Sequence, residues 1–396
     1  MPQQTVAPRI RGFIALNAHP AGCAANVAAE IAVAKRGTPG SGFRDALVIG
    51  ASTGYGLSSL VSALFGYGAR AVGVCLERAP QGDKTASAGW YNLAAVGAAA
   101  RAAGREVAFV NGDAFSDGVK AQTLAKLKAT GAKLDTVVYS LAAPKREDPR
   151  TGQSYSSTLK PIGAPFKSKS ISLGNDKITE VEIGPANDAE IEATRKVMGG
   201  EDWAAWIDAL LDADLLARGC RVVAYSYIGP ALTFPIYRSG TIGKAKEDLE
   251  ATAAALTTKL AARVGGAAYV SVNKALVTQA SAAIPVVPLY ISLLYKVMKE
   301  AGTHEGTAEQ IARLYRDHLG PGRTPKTDDA GRIRIDDREM APEIQARVAA
   351  LWDQVTSENL STLTDYAGFR RDFRNLFGFE VDGVDYATPV ETDVAL

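Results

Sequence analysis

The stretch "VIGASTGYGLSSL", residues 48–60, decides the fold. It begins as a β-branched apolar run, turns at a cluster of glycines and continues in a helical pattern. Gly50, Gly54 and Gly56 give the spacing G-x-x-x-G-x-G. Glycines here permit a tight turn and let the backbone approach a pyrophosphate, whose charge then faces a helix N-terminus. Ser52 and Thr53 add hydroxyl donors. A glycine pattern alone is also compatible with a plain strand–helix turn, so its neighbours decide the reading.

Working outward, similar strand-like runs recur: "GFIALNA" (12–18), "DALVIGA" (45–51), "AVGVCLE" (71–77), "EVAFVNG" (106–112), "DTVVYSLA" (135–142), "RVVAYSYIG" (221–229) and "AAYVSVN" (267–273). Most are continuous and valine-rich rather than alternating, as expected of strands buried on both faces of a parallel sheet. Helical segments fall at 57–68, 86–103, 117–130, 201–218 and 246–264. Such alternation predicts an α/β protein with a doubly wound, Rossmann-type parallel sheet. Residues 143–200 are polar and turn-rich, and the alternation in "KITEVEI" predicts an inserted β-hairpin. Apolar helices are expected over 281–318. A connector and a further helix follow from 319, with an ordered aromatic tail "LFGFEVDGVDY". The 396 residues are read as one elaborated unit, with these three regions added to the sheet.

Composition narrows the function. Forty-four basic residues against 43 acidic ones leave no electrostatic footprint for nucleic acid or an anionic membrane. Cys23, Cys75 and Cys220 are scattered and odd in number, which fits a reducing, cytoplasmic setting. The start "MPQQTVAPRIRGF" has no apolar signal region, and the apolar window "AAIPVVPLYISLLYKV" is broken by Pro285 and Pro288, so no membrane span is expected. His19, His304 and His318 lie far apart and there is no Cys-x-x-Cys, which argues against a structural zinc site.

Four features sit at the carboxyl ends of successive strands, where an open α/β sheet places its ligand. The first is the glycine turn. Glu77, at the end of the next strand, is placed to accept from adenine-ribose hydroxyls and to repel a 2′-phosphate, which favours NADH, with Arg78 beside it as a partial offset. Asp113 and the Ala114 amide, in "NGDAF", lie where an adenine ring would rest. "SLAA", with Leu141 and Ala142, is small enough for the nicotinamide ribose to pass.

The chemistry falls on "IYRSGTIGKAK", residues 236–246. A tyrosine can stabilise negative charge on a substrate oxygen during hydride transfer, and a lysine can orient the nicotinamide ribose. Tyr237 is followed by Lys244 at +7 and Lys246 at +9. An unbroken helix would return +7 to the face of Tyr237. Ser239, Gly240, Thr241 and Gly243 are poor helix interior, however. The downstream stripe Leu249, Ala253, Leu256, Leu260, Val264 is the better reference: Lys246 flanks it and Lys244 points away. This favours Lys246 and leaves Lys244 as the alternative. The residues alone point to reduction by a nicotinamide; a carbonyl or hydroxyacyl oxidoreductase on this fold and a non-catalytic dinucleotide sensor are the rival readings.

Several segments together resemble the short-chain dehydrogenase superfamily. More narrowly, they resemble the V-type enoyl-acyl-carrier-protein reductases (FabV) and the related trans-2-enoyl-CoA reductases. They include "RGFIALNAHPAGCAANV", "GASTGYGLSS", "NGDAFSD", "VVYSLAAPKREDP", "GPANDAEIEATRKVMGGEDW", "YSYIGP" and "NKALVTQASAAIPVVPLYISLLYKVMKE". The family's Tyr-x8-Lys spacing matches Tyr237 and Lys246. The resemblance implies NADH-dependent reduction of the C2=C3 bond of a trans-2-enoyl thioester carried on acyl-carrier protein or coenzyme A. Tyr237 would be the donor, Lys246 the ribose ligand and Tyr227 a substrate contact. It also implies cofactor contacts from Gly50, Ala51, Ser52, Thr53, Gly54, Tyr55, Leu76, Glu77, Asp113, Ala114, Leu141, Ala142, Leu276, Val277 and Thr278, an acyl-chain wall at 281–296, and a monomer. Leu76 departs from the family, whose members often carry an aromatic there. No role follows for His19 or Cys23.

Overall fold

A computed structural model of the protein describes residues 3–36, 42–282 and 284–396. Ala283, inside the apolar segment 281–318, therefore lies outside the described residues. Six of the seven strand-like runs enter one sheet: β1 Asp45–Ile49, β2 Arg70–Cys75, β3 Val107–Asn111, β4 Leu134–Tyr139, β5 Leu216–Ser226 and β6 Ala267–Val272. A seventh, β7 Ile333–Arg334, was not legible in the sequence. The order is β7-β6-β5-β4-β1-β2-β3, and every pairing is parallel. The winding direction reverses between β1 and β4, so a crevice opens beyond their carboxyl ends.

The continuous apolar runs are explained by two cores on opposite faces of the sheet. Side chains alternate faces along a strand. Leu47 and Ile49 of β1 accordingly join Val137, Trp203 and Trp206 on one side. Val48 joins Leu57, Leu60, Val138 and Val223 on the other. A third core gathers around the Val287–Glu300 helix and takes in Tyr237, Ile171, Phe369 and Phe379.

Several expectations need correction. The run 12–18 is not a strand of the sheet. Gly12 turns with φ +58°, and the chain makes a small hairpin of Ile10–Arg11 with Ile14–Ala15. The expected helix 201–218 stops at Asp212, because Asp214 adopts φ +55° and Leu216 already opens β5. The helices Pro20–Lys35 and Asp188–Met198 were not anticipated.

The insertion does form hairpins, Lys145–Glu147 with Ser154–Ser156 and Phe166–Ser172 with Lys177–Ile183. The longer one packs on the Val287–Glu300 helix through Ile171. The expected helix after the connector is Pro342–Gln354, and a second, Tyr366–Asn375, follows it. The aromatic tail is ordered, with Phe377 and Phe379 buried. Gln3–Gln4 pairs antiparallel with Val390–Glu391, joining the two ends of the chain. No helix among the described residues is long and apolar enough to cross a membrane.

Candidate active site

The crevice is a cleft of about 570 Å³. Its first wall is the glycine turn. Gly50 has φ +84°, and a Cβ there would stand 2.1 Å from the Ser140 carbonyl oxygen of the turn after β4. A Cβ at Gly56 would meet the Gly50 carbonyl at 1.8 Å. Only glycine allows the helix Gly54–Val61 to start this close to the sheet. No side chain caps that helix, so its first amides are left for a ligand.

Ser52, Thr53, Gly54 and Tyr55 line the cleft beside Gly50. Ala51 does not: it is fully buried, and its amide donates to the Val74 carbonyl at 2.9 Å. The next strand brings Leu76 to the cleft wall, 71% exposed. The Glu77 carboxylate instead accepts from the Ser52 and Ser87 hydroxyls, each at 2.5 Å. Asn111 clasps the Glu77 backbone through both its amide and its carbonyl.

Asp113 and Ala114 line the cleft as expected. Their loop is held from behind by a buried ion pair. Lys120 Nζ donates to the carbonyls of Ala114 and Phe115 and lies 2.7 Å from Asp202 Oδ1. Tyr139 Oη donates to the other Asp202 oxygen at 3.0 Å. Leu141 and Ala142 also reach the wall, as do Leu276 and Thr278, whereas Val277 turns into the third core.

The two lysines are sorted unambiguously. The helix begins at Thr241, after an irregular segment that carries Tyr237. Lys246 lines the cleft and donates to the Tyr225 carbonyl at 3.1 Å. Lys244 is exposed and pairs with Glu247 at 2.8 Å. Gly243 makes the geometry available: a Cβ there would meet the Arg238 and Tyr237 carbonyls at 2.0 and 2.6 Å. Burial lowers the Lys246 ammonium to about 8, partly countered by Glu250. Burial pushes Tyr237 above the usual phenol range, and the negative charge of Glu339 adds to the push. Tyr227 meets Tyr237 edge to face, with ring centroids 4.8 Å apart.

Two further residues escaped sequence reasoning. Glu339 is fully buried and accepts from Tyr227 Oη at 3.0 Å and Tyr290 Oη at 2.6 Å. Lys274 lines the cleft just past β6, donates through Nζ to the Ala275 carbonyl at 2.9 Å, and is lowered to about 8 by burial. The sole signal for it was its place just past a strand end. Of the apolar segment, Ile284, Val287 and Ile291 line the cleft, while Leu289, Leu293 and Leu294 fill the core.

The cleft suits a dinucleotide. Besides the uncapped helix and the glycine cradle, Ser226 Oγ and Asn273 Nδ2 are buried and unpartnered among the described residues, and both residues line the cleft. A polar ligand on the cleft floor would complete them.

Three family models cover the chain. The NAD(P)H binding domain of trans-2-enoyl-CoA reductase matches residues 5–82, the trans-2-enoyl-CoA reductase catalytic region 84–319, and the enoyl reductase FAD binding domain 327–390. The last description does not fit this structure. Residues 327–390 contribute nothing to the cleft wall, and their aromatic side chains pack into the third core. An enoyl-[acyl-carrier-protein] reductase [NADH] of Pseudoalteromonas atlantica is 54% identical over 96% of this chain and 97% of its own. A trans-2-enoyl-CoA reductase [NADH] of Clostridium perfringens is 50% identical over 98% of each chain. The crystal structure of Treponema denticola trans-2-enoyl-CoA reductase in complex with NAD superposes with a TM-score of 0.95, at 47% identity over 99% of both chains. With sequence, fold and cleft in agreement, the chain belongs to the trans-2-enoyl-CoA reductase family, together with the NADH-dependent enoyl-[acyl-carrier-protein] reductases it matches.

Proposed function

We propose that the protein reduces the C2=C3 double bond of trans-2-enoyl thioesters with NADH. One observation carries this reading: Tyr237 and Lys246 share one cleft with the glycine turn and with Ile284, Val287 and Ile291. The glycine turn suits a dinucleotide and the apolar residues an acyl chain. NADH, when bound, supplies the hydride that goes to C3 of the substrate. Negative charge then gathers on the thioester oxygen, and a proton drawn from solvent and delivered to C2 completes the reduction. Tyr237 Oη is the donor to that oxygen. Its environment holds the phenol protonated at neutral pH, as a donor requires. Lys246 spends one of its three N–H groups on Tyr225, which leaves two for the ribose hydroxyls. Tyr227 supports the ring of Tyr237 and borders the acyl thioester.

Glu77 guards the adenosine end. Its carboxylate already holds two serine hydroxyls, and a 2′-phosphate brought beside it would meet like charge. The remaining contacts assigned to the cofactor are Gly50, Ser52, Thr53, Gly54, Tyr55, Leu76, Asp113, Ala114, Leu141, Ala142, Leu276 and Thr278, which share the cleft. Ala51 and Val277 act from behind the wall. We propose further that the chain works as a single unit and as a monomer. The hairpin, the apolar helix and the C-terminal helices share one core, which supports the first statement. A light-scattering mass of twice the chain would reject the second. Three free, buried cysteines suit the reducing cytoplasm.

The test follows NADH absorbance with crotonyl-CoA, crotonyl-carrier protein and acetoacetyl-CoA, for wild type and Tyr237→Phe. Oxidation with both crotonyl thioesters and none with acetoacetyl-CoA is expected. Tyr237→Phe should lose 100-fold or more in kcat, roughly the loss seen when an oxyanion donor is removed. Turnover of acetoacetyl-CoA alone would reject the reading.

A further inference from the structure

The reading above leaves two phenols near the substrate, Tyr227 and Tyr237, without saying why only one should act as donor. The C-terminal connector supplies the difference. Glu339 lies between β7 and the Pro342–Gln354 helix, 112 residues from Tyr227 in sequence. Its Oε1 accepts from Tyr227 Oη at 3.0 Å and from Tyr290 Oη at 2.6 Å. Its Oε2 accepts from the Ala275 amide at 2.7 Å. All three contacts donate to the carboxylate, which serves its ionised, acceptor-only form. Burial raises the Glu339 carboxyl and works against that charge, while the Lys274 ammonium and the donations from Tyr290 and the Ala275 amide support it. Gln345 closes the cluster, donating to Tyr290 Oη at 3.1 Å and to the Glu339 carbonyl at 2.7 Å.

The carboxylate is also rigidly mounted. Ile335 N donates to Val272 O at the end of β6, and Arg313 donates to the Ile335 carbonyl. Asp336 pairs with Arg334 at 2.6 Å, and Met340 N returns to the Asp336 carbonyl. The segment cannot swing without breaking the sheet edge. A phenol has one proton. With that of Tyr227 committed to Glu339, Tyr227 can face substrate only with its ring and its oxygen lone pairs. No hydrogen bond of Tyr237 Oη is recorded among the described residues, and Tyr237 lines the cleft.

We propose that Glu339 is a positioning residue of the active site: by taking the hydroxyl protons of Tyr227 and Tyr290 it fixes the ring of Tyr227 against Tyr237 and leaves Tyr237 as the donor to the thioester oxygen. The same carboxylate pins Ala275, and with it the start of the Leu276–Thr278 wall. This inference rests on the enoyl-reductase reading, and its experiment separates the two.

Wild type is assayed first with crotonyl-CoA and NADH, and absence of activity there removes the parent reading. If wild type is active, Glu339→Gln, Tyr227→Phe and the double variant are compared for kcat, KM for crotonyl-CoA, NADH dissociation constant and melting temperature. In Glu339→Gln the new NH₂ must face either the two phenols or the Ala275 amide, so the triad of donors cannot be kept. We expect kcat to fall 10- to 100-fold, with the NADH dissociation constant changed less than threefold. In the Tyr227→Phe background the same substitution should cost less than threefold more, since the hydroxyl it governs is gone. A folded Glu339→Gln with kcat within twofold of wild type overturns the proposal, as does a double variant whose loss is the product of the two single ones. Should Glu339→Gln not fold, Glu339→Asp reads the same point. One methylene shorter, it cannot reach both phenols and the amide, and an unchanged kcat in that variant overturns the proposal equally.

Discussion

Lys246→Met should make the protein more stable and worse at binding NADH. The ammonium sits at about 8 because burial disfavours its charge. Against an ordinary value of 10.5, the depression is about 2.5 pH units. At 1.36 kcal/mol per unit, this is roughly 3 kcal/mol held against the folded state at pH 7. Methionine keeps most of the stem volume and removes the charge. It also removes the charge-assisted bond from Nζ to the Tyr225 carbonyl, which offsets about 1.5 kcal/mol. The net gain is about 1.5 kcal/mol. Near 60 °C the unfolding entropy is about 2.1 cal/mol/K per residue, or roughly 0.8 kcal/mol/K for the whole chain, so Tm should rise by about 2 °C.

The pH dependence carries the sign. The folded value lies below the unfolded one, so between pH 8 and 10.5 the unfolded chain binds more protons and wild-type stability gains from rising pH. Below pH 8 the full penalty is present. The gap between Lys246→Met and wild type should therefore be widest at pH 7 and narrow markedly by pH 9.5. Comparing the two proteins cancels the contributions of Lys274 and the buried tyrosines. Thermal unfolding without NADH at both pH values measures the gap, and a fluorescence titration measures NADH affinity. Loss of one charge-assisted hydrogen bond, about 1.5–3 kcal/mol, predicts roughly 10- to 100-fold weaker binding. A variant less stable than wild type at pH 7, or a gap that does not change with pH, refutes the electrostatic argument. Unchanged NADH affinity refutes the ribose contact.

Four more outcomes follow from named contacts. Gly243→Ala forces a Cβ against two backbone carbonyls, so it should cost about 1–3 kcal/mol and, by displacing Tyr237, about 100-fold in kcat. Gly265→Ala, with φ +66° and open space, should cost about 1 kcal/mol in melting experiments and leave kcat alone. Glu77→Ser should raise the ratio of kcat/KM with NADPH to that with NADH by about tenfold; an unchanged ratio would remove Glu77 from the adenosine end. Asp202→Asn strands Lys120 in the core and should destabilise by about 3–5 kcal/mol in denaturant unfolding, whereas Asp202→Leu with Lys120→Met should lose far less.

Six of the seven sheet strands were legible because burial on both faces removes the need to alternate, which leaves a compositional trace in runs such as "DALVI" and "TVVY". The different settings of Lys246, in the cleft, and Lys244, in solvent, were legible for a related reason. An apolar stripe fixes the face of a long helix, so one side chain at its flank can be placed even where the first turn is irregular. The run 12–18 misled because its apolar residues, Phe13, Ile14 and Leu16, are exposed on a small hairpin. β7 has two residues, too few for any pattern. Glu339 was hidden for a deeper reason. Its partners stand 49, 64 and 112 residues away, and a lone carboxylate in a polar connector looks solvated until three segments converge on it. Glu77 shows the intermediate case. Its place at a strand end was readable, but its two serine partners come from the glycine turn and from a later segment that no local pattern joins to it.

The pairing of Gln3–Gln4 with Val390–Glu391 has a consequence for how the molecule is made. The Gln3–Gln4 strand has no partner until residues 390–391 have been made. At about 5–20 residues per second, that wait is roughly 20–80 seconds. The same delay applies to β7 and to Glu339, which come from the last fifth of the chain. The sheet can grow through β6 during synthesis, but the third core and the cleft wall it supports close only after the segment that carries Phe369 to Phe379 has been made. A nascent chain stalled at about residue 320 should thus hold a protected sheet while its apolar helix Val287–Glu300 stays open to protease and to chaperones, and uniform protection at that length would contradict this order of assembly.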